Sequence, residues 1–398
     1  MSRESPTRPR LRDGVIRRGS TWSYVVRVTD NQGVSKPKWV GGFPTESAAK
    51  RARDEARLAA AKGQFIDRSN VTLGEYLQEW LAVHAVVVKP RTHAGYAHII
   101  ETYIAPRIGG QRLQALRPAD LTKFYRDLLE GGGRRGGPLS ARTVEYTHAV
   151  LRKALSDAVA LDQLLAANPA ERAKRPRQGP LAPKGMWTAD DLANFLNTAS
   201  GHRLHAFFRV AAYTGARRGE LVNLRWEDVV KSESPSLRLR GTVSVIHGRR
   251  IEGSTKGGRE RTVPIDAGTL AALELHRERQ EAERRIAGAS WVDGDHVFRQ
   301  ESGQPLFPDT PTALMSKLLR RHNQDAAASG RATLPVIRLH DLRHLHATLL
   351  LQGGVPVHVV AKRLGHADPA ITLRVYAHVL EGQASEAADL FESILAGR

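Results

Sequence analysis

The sequence contains no cysteine, which excludes a disulfide scaffold, a thiol nucleophile and any cysteine-held zinc or iron–sulfur centre. A reducing compartment suits such a chain, although nothing in the absence requires one. No uninterrupted apolar run approaches the roughly 18 residues of a membrane span. The opening stretch, MSRESPTRPRLRDGVIRRGS, is basic and polar with no apolar signal core. Export and membrane spanning are therefore not expected, and the cytoplasm is the expected location. Acidic residues are also in short supply. There are 41 against 60 lysines and arginines in 398 residues, which leaves a net charge of +19. A surplus of that size calls for a polyanionic partner, and nucleic acid is the first candidate. The competing explanation is a solvated basic face with no partner. What is present describes a folded protein: 41% hydrophobic and 25% charged residues, over a length that suits two or three domains.

The charge is unevenly spread. Residues 1–68 carry +8, residues 69–183 carry +6, and the remaining 215 residues carry only +5. The first stretch reads as two strands and a helix. Trp22, Tyr24, Val26 and Val28 alternate along TWSYVVRV, Asp30–Gly33 makes a turn, and a second strand runs through Lys38-Trp39-Val40. Thr45 caps a helix rich in Ala, Arg and Glu. Arg27, Lys36 and Lys38 are candidates to meet DNA, since a β-ribbon fits a major groove, whereas Trp22 and Trp39 read as core.

From about 70 to 170 the pattern is helical. Leu73, Tyr76, Leu77, Trp80 and Leu81 recur at helical spacing, and further helices are expected over 92–103, 118–129 and 140–165. The loop GGGRRGG presents Arg134 and Arg135 as candidate backbone contacts. Residues 168–185, with four prolines and five basic residues, read as a linker. Beyond it, Thr188 with Asp191 three residues later opens a mainly helical segment. Strands are expected there around 237–246 and 262–265, flanking a Gly/Arg-rich hairpin.

That last segment holds the islands TGARRGEL (Thr214–Leu221), HDLRH (His340–His344) and LGHADPAITLRVYAH (Leu364–His378), with the hairpin STKGGRERTVPI (Ser254–Ile265) between the first two. In this order they resemble the tyrosine recombinase, or phage-type integrase, family, whose signature runs Arg…Lys…His-x-x-Arg…His/Trp…Tyr. The resemblance implies a multidomain, mainly α fold with small β-sheets. Its parts would be a ββα arm-type DNA-binding domain (1–68), a helical core-site DNA-binding domain (69–167), a linker (168–185) and a mixed α/β catalytic domain with a C-terminal tail (186–398). It also implies integration and excision of a mobile element by transesterification through a 3′-phosphotyrosyl intermediate, with neither metal nor other cofactor.

The residue types suit that reaction. Arg217 and Arg343 present permanently charged forks to the non-bridging oxygens of a phosphodiester, where charge gathers in the transition state. His340 and Arg343, three apart, share one helical face. Tyr376 would be the nucleophile, and its ordinary pKa of about 10 demands a proton acceptor, a role given to His340. His366 would donate to the phosphate, Lys256 would protonate the departing 5′ oxygen, and Glu220 would orient a neighbouring cation. Arg218 is the weaker alternative to Arg217, and His344 and His346 read as helix or core histidines. The hairpin Lys-Gly-Gly-Arg-Glu-Arg is one residue shorter than the family's usual form.

The implied partners are double-stranded DNA with core-type and arm-type sites, three further copies in a homotetramer, and an excisionase or directionality factor, with association to the bacterial nucleoid. Other readings stay open: a Xer-like resolving recombinase, a type IB topoisomerase, a DNA-binding regulator without catalysis, or a degenerate H-x-x-x-H metal site in HDLRH, where Asp341 stands beside the first histidine in place of the usual Glu. The N-terminal addition favours an integrase over a resolving enzyme.

Overall fold

A computed structural model of the chain describes residues 14–29, 34–62, 65–133, 135–176, 185–255, 258, 260–380, 391–392 and 394–396. The chain divides into two compact units, Met1–Pro180 and Leu181–Arg398.

In the first unit the period-two alternation forms an antiparallel sheet of β1 (Val15–Arg18), β2 (Thr21–Thr29) and β3 (Ser35–Phe43), in that order. Helix α1 (Glu46–Ala61) starts where Thr45 accepts the Ala48 N–H, and it covers one face of the sheet around Val15, Tyr24, Val26 and Ala49. Trp22 packs on that core. Trp39 does not, because the register sets it opposite Val25, on the face away from Tyr24 and Val26. It is 43% exposed, with the Arg18 guanidinium 4.5 Å above its ring. The expectation of two core tryptophans is corrected to one.

The same unit carries α2 (Leu73–His84), α3 (Pro90–Ile99), α4 (Pro118–Gly131), α5 (Ala141–Ala160) and the single turn α6 (Pro169–Arg172). Their apolar stripes meet in a core that includes Leu73, Leu77, Leu121, Leu151 and Leu155. Trp80 satisfies its indole N–H on Asp157 at 2.9 Å. After α3 the backbone widens into a π turn, Ile100–Ile104, just before Pro106. Proline has no N–H to give the preceding turn, and Arg107 Nη1 donates to the carbonyls of Thr102 and Tyr103 instead. Pro169 and Ala170 are buried, so helical packing continues past residue 167 into the proline-rich stretch that reads as linker.

The second unit opens with α7 (Ala189–Ala199), held by a reciprocal capping box between Thr188 and Asp191. It continues through α8 (His205–Thr214) and α9 (Arg218–Leu221) into β4 (Val229–Val230), β5 (Ser236–Leu239), β6 (Gly241–Ile246), β7 (Arg249–Ser254) and β8 (Arg261–Pro264). The expected single strand over 237–246 is broken at Arg240, which turns to pair with Glu227 and Asp228. Its halves therefore join different sheets, β4–β5–β8 and β6–β7. Then come α10 (Ala267–Ala287), α11 (Asp309–Ala328), α12 (Asp341–Gln352), α13 (Val357–Leu364) and α14 (Pro369–Leu380). The core gathers Phe195, Phe207, Phe208, Leu237, Leu273 and Phe298 with Leu342 and Leu345 of α12. Among the described residues no helix is long and apolar enough to cross a membrane.

Candidate active site

Two glycine turns and one buried arginine set the frame of the site. Helix α8 ends at Gly215 and α13 at Gly365, both left-handed, with φ of 62° and 69°. These turns free the carbonyls of Gly215 and Leu364, and Arg343 of α12 binds both, Nη1 and Nη2 each at 2.7 Å. Arg343 is only 4% exposed. Burial first, and then Arg217, oppose its charge, while Glu220 supports it; a guanidinium stays protonated at neutral pH all the same. Three islands far apart in sequence are thus tied through one side chain.

Arg217 caps α9, and Glu220 reaches back to accept its N–H at 2.8 Å and its Nη1 at 3.0 Å. Arg261, from β8, closes on the same carboxylate with Nη1 at 3.0 Å and Nη2 at 2.8 Å. Its Nε donates to the Arg363 carbonyl at 3.0 Å, next to the His366 turn. Glu220 is 2% exposed. Burial pushes its pKa up, but the Arg261 fork and then Arg217 outweigh burial and hold the carboxyl below its ordinary range. Helix α9 lies directly on β6: a Cβ on Gly219 would stand 2.4 Å from Thr242 Oγ1 and 2.6 Å from the Val243 carbonyl.

Tyr376 of α14 sits among Ala347, Leu351, Val360 and Leu364, 3% exposed. Burial raises its pKa to about 12, with Arg343 opposing. Its hydroxyl is 2.8 Å from Nδ1 of His344. His340, at the start of α12, meets the His344 ring edge-on at 5.2 Å. His340 keeps an exposed edge, yet desolvation and then the charges of His344 and Arg343 lower its pKa to about 4. His366 bonds the buried Thr372 hydroxyl at 2.7 Å, and burial followed by Arg343 and Arg217 lowers it to about 4 as well. At neutral pH both are uncharged imidazoles in a field set by three arginines.

Two family models match the chain: the phage integrase family over residues 187–383, which hold these islands, and the phage integrase N-terminal SAM-like domain over residues 72–129, among the helices of the first unit. The chain belongs to the phage integrase family of tyrosine recombinases. A XerC-like tyrosine recombinase of Caldanaerobacter subterraneus subsp. tengcongensis is 28% identical over 394 residues, covering 93% of this chain and 96% of that protein. An integrase of Streptomyces ambofaciens is 27% identical, covering 84% of each chain. In fold, the chain is similar to the Tn1549 transposon integrase (aa 82-397, R225K) in complex with a circular intermediate DNA. The TM-score is 0.67 at 19% identity, over 81% of this chain and 99% of that one. The protein is thus a tyrosine-type site-specific recombinase, an enzyme of DNA strand breakage and rejoining.

Of the residues the sequence nominated in this tyrosine recombinase, Arg217, Glu220, His340, Arg343, His366 and Tyr376 come together. Lys256 lies outside the described residues, between β7 and β8, as does Arg134 in the Gly-rich loop. Arg218 turns away to Asp309 and Thr312 on α11, at 2.9 and 2.8 Å. His346 is a core residue that accepts from Arg363 Nε at 3.0 Å. The N-terminal candidates separate. Arg27 pairs with Pro37 on the outer face, whereas Lys36 and Lys38 stand opposite Val28 and Val26, on the helix side. Lys38 is engaged with Asp67, and Arg135 is exposed.

Sequence reasoning passed over Arg261, one of many arginines, since nothing in its local pattern marks it as the partner of Glu220. By sequence His344 reads as a helix or core histidine, whereas the structure sets its ring against the Tyr376 hydroxyl. Its place four residues after His340, on the same helical face, is the signal that points there.

Proposed function

We propose that Tyr376 attacks a DNA phosphodiester, leaving a 3′-phosphotyrosyl bond and a free 5′-hydroxyl, as the chemical step of integrating and excising a mobile element. The observation that carries this reading is the convergence of Tyr376, Arg343, Arg217 and His366 on one site through the carbonyls that Arg343 binds. Fixed cations at the phosphate act on the charge that gathers on its non-bridging oxygens in the transition state, and each such donor is worth about 10²–10³ in rate. Lys256 gives the leaving oxygen its proton. The bond energy stays in the phosphotyrosine, so rejoining needs no nucleotide cofactor.

Two duplexes exchange four strands, and one tyrosine per protomer calls for four protomers on DNA. The sheet of β1–β3 with its outer residues Arg18, Arg27 and Trp39 suits arm-type sites, and the helices of α2–α5 suit core-type sites. A directionality factor would bias integration against excision, and the protein works in the cytoplasm on nucleoid DNA. Sequencing the junctions that the full chain produces in a bacterial host identifies the attachment site. A nicked duplex of that site should then trap a covalent adduct with the wild type and none with Tyr376→Phe at equal binding. Equal binding with no wild-type adduct would refute the reading in favour of a non-catalytic DNA-binding regulator.

A further inference from the structure

The reaction needs a group to take the tyrosine proton, and the family signature gives that duty to His340. The hydrogen bond to the nucleophile comes from a different residue. His344 Nδ1 lies 2.8 Å from the Tyr376 hydroxyl, and the two rings are 5.9 Å apart. We propose that His344 is the base that accepts the proton of Tyr376, leaving His340 to the phosphate. This rests on the reading of Tyr376 as nucleophile.

Several observations support the assignment. His344 is fixed on the second turn of a twelve-residue helix, so its ring is placed by backbone rather than by loop. Desolvation lowers its pKa, so at neutral pH the ring is uncharged and Nδ1 can accept, with the proton kept on Nε2. The imidazolium that forms is supported by Asp341, one turn earlier, whose charge favours protonation of His344. Asp341 is itself anchored by Arg338 through the backbone N–H at 2.8 Å, Nε at 3.2 Å and Nη2 at 2.8 Å. The other charged or titratable groups facing the ring are Arg343, Arg338, His340, His366 and Tyr376 itself. The two arginines oppose a resident positive charge on His344, which keeps the base free until attack begins.

The step balances. The Tyr376 O–H proton passes to His344 Nδ1, the Oη–P bond forms, the P–O5′ bond breaks, and the departing O5′ takes a proton from Lys256. In rejoining, the 5′-hydroxyl returns its proton to Lys256 as it attacks the phosphotyrosine, the P–Oη bond breaks, and the departing Tyr376 oxygen takes the proton back from His344. No oxidant, metal or nucleotide enters.

The test uses the full chain and a duplex of its attachment site with sulfur in place of the scissile 5′ oxygen. A thiolate leaves without a proton, so the leaving-group acid drops out and nucleophile activation is read alone. Single-turnover adduct formation is followed from mildly acidic conditions to about pH 9. His344→Gln should slow it by about 10²–10⁴-fold at neutral pH. The deficit should shrink as pH rises and shrink again when a fluorinated tyrosine of lower pKa replaces Tyr376. His344→Asn, smaller and equally unable to take a proton, should behave alike, and His340→Gln should show no such recovery. A His344→Gln rate within about threefold of wild type overturns the proposal. So does a deficit indifferent to pH and fluorination, or a recovery that belongs to His340→Gln. No adduct with the wild type on this duplex overturns the reading of Tyr376 instead.

Discussion

Arg261 helps hold the site together through Glu220 and the Arg363 carbonyl, and Arg261→Met tests that dependence. The substitution keeps a long apolar stem but removes three hydrogen bonds, two to Glu220 and one to the Arg363 carbonyl. It leaves the Glu220 carboxylate 2% exposed with Arg217 as its remaining hydrogen-bonded cation. Breaking a buried ion pair from one side costs about 3–5 kcal/mol, and the contact kept with Arg217 places the loss near the lower end. For a unit of this size, about 3 kcal/mol corresponds to a fall of roughly 6–12 °C in the melting temperature. Calorimetry of the full chain reads that shift. Adding Glu220→Gln should recover part of it, because a neutral amide leaves no charge stranded.

The pH dependence carries its own sign. In the wild type the Glu220 pKa is lowered on folding, so its stabilisation is present above the ordinary carboxylate range and lost as pH falls through the folded value. In Arg261→Met, burial acts with less opposition and the carboxyl protonates sooner, so the gap between the proteins narrows on acidification. A fall of under 2 °C, or no recovery with Glu220→Gln, would refute the reasoning.

Two further outcomes are expected. Gly219→Ala forces a Cβ to within 2.4 Å of Thr242 Oγ1 and 2.6 Å of the Val243 carbonyl, so α9 must move off β6, costing about 1–3 kcal/mol. Because Arg217 caps that helix, adduct formation should fall even below the melting transition, which single-turnover trapping at low temperature measures. His346, buried and bonded to Arg363, has its pKa lowered to about 4, first by burial and then by the charge of Arg363. The unfolded chain therefore binds a proton that the folded chain refuses. Between an ordinary histidine pKa and about 4, stability should fall with decreasing pH by up to about 1.4 kcal/mol per unit from this residue. His346→Gln should flatten that slope in urea titrations across the window.

Much of this was legible in the sequence, for identifiable reasons. Thr45 and Thr188 announce helix starts because a hydroxyl beside an apolar repeat has a local job, and both side chains accept the expected backbone N–H. The islands around Arg217, Arg343 and Tyr376 are readable because phosphate chemistry restricts their residue types and because their order resembles the tyrosine recombinase signature. What the sequence hid is tertiary. Arg240 breaks an otherwise continuous strand because its partners, Glu227 and Asp228, lie in an earlier turn. Trp39 faces outward because strand parity, set by a bulge between Trp22 and Tyr24, overrides its apolar character. Pro169 looks like linker chemistry but serves as the first position of a helical turn with buried contacts. Arg261 is distinguished only by Glu220, forty-one residues earlier.

The central claim is that Tyr376 carries the broken strand by its 3′ end. The most direct measurement is mass spectrometry of the peptide left on DNA after proteolysis of the trapped wild-type adduct. The account predicts a nucleotide remnant on Tyr376 joined through a 3′-phosphate. A remnant on any other residue, or one joined through a 5′-phosphate, would contradict it.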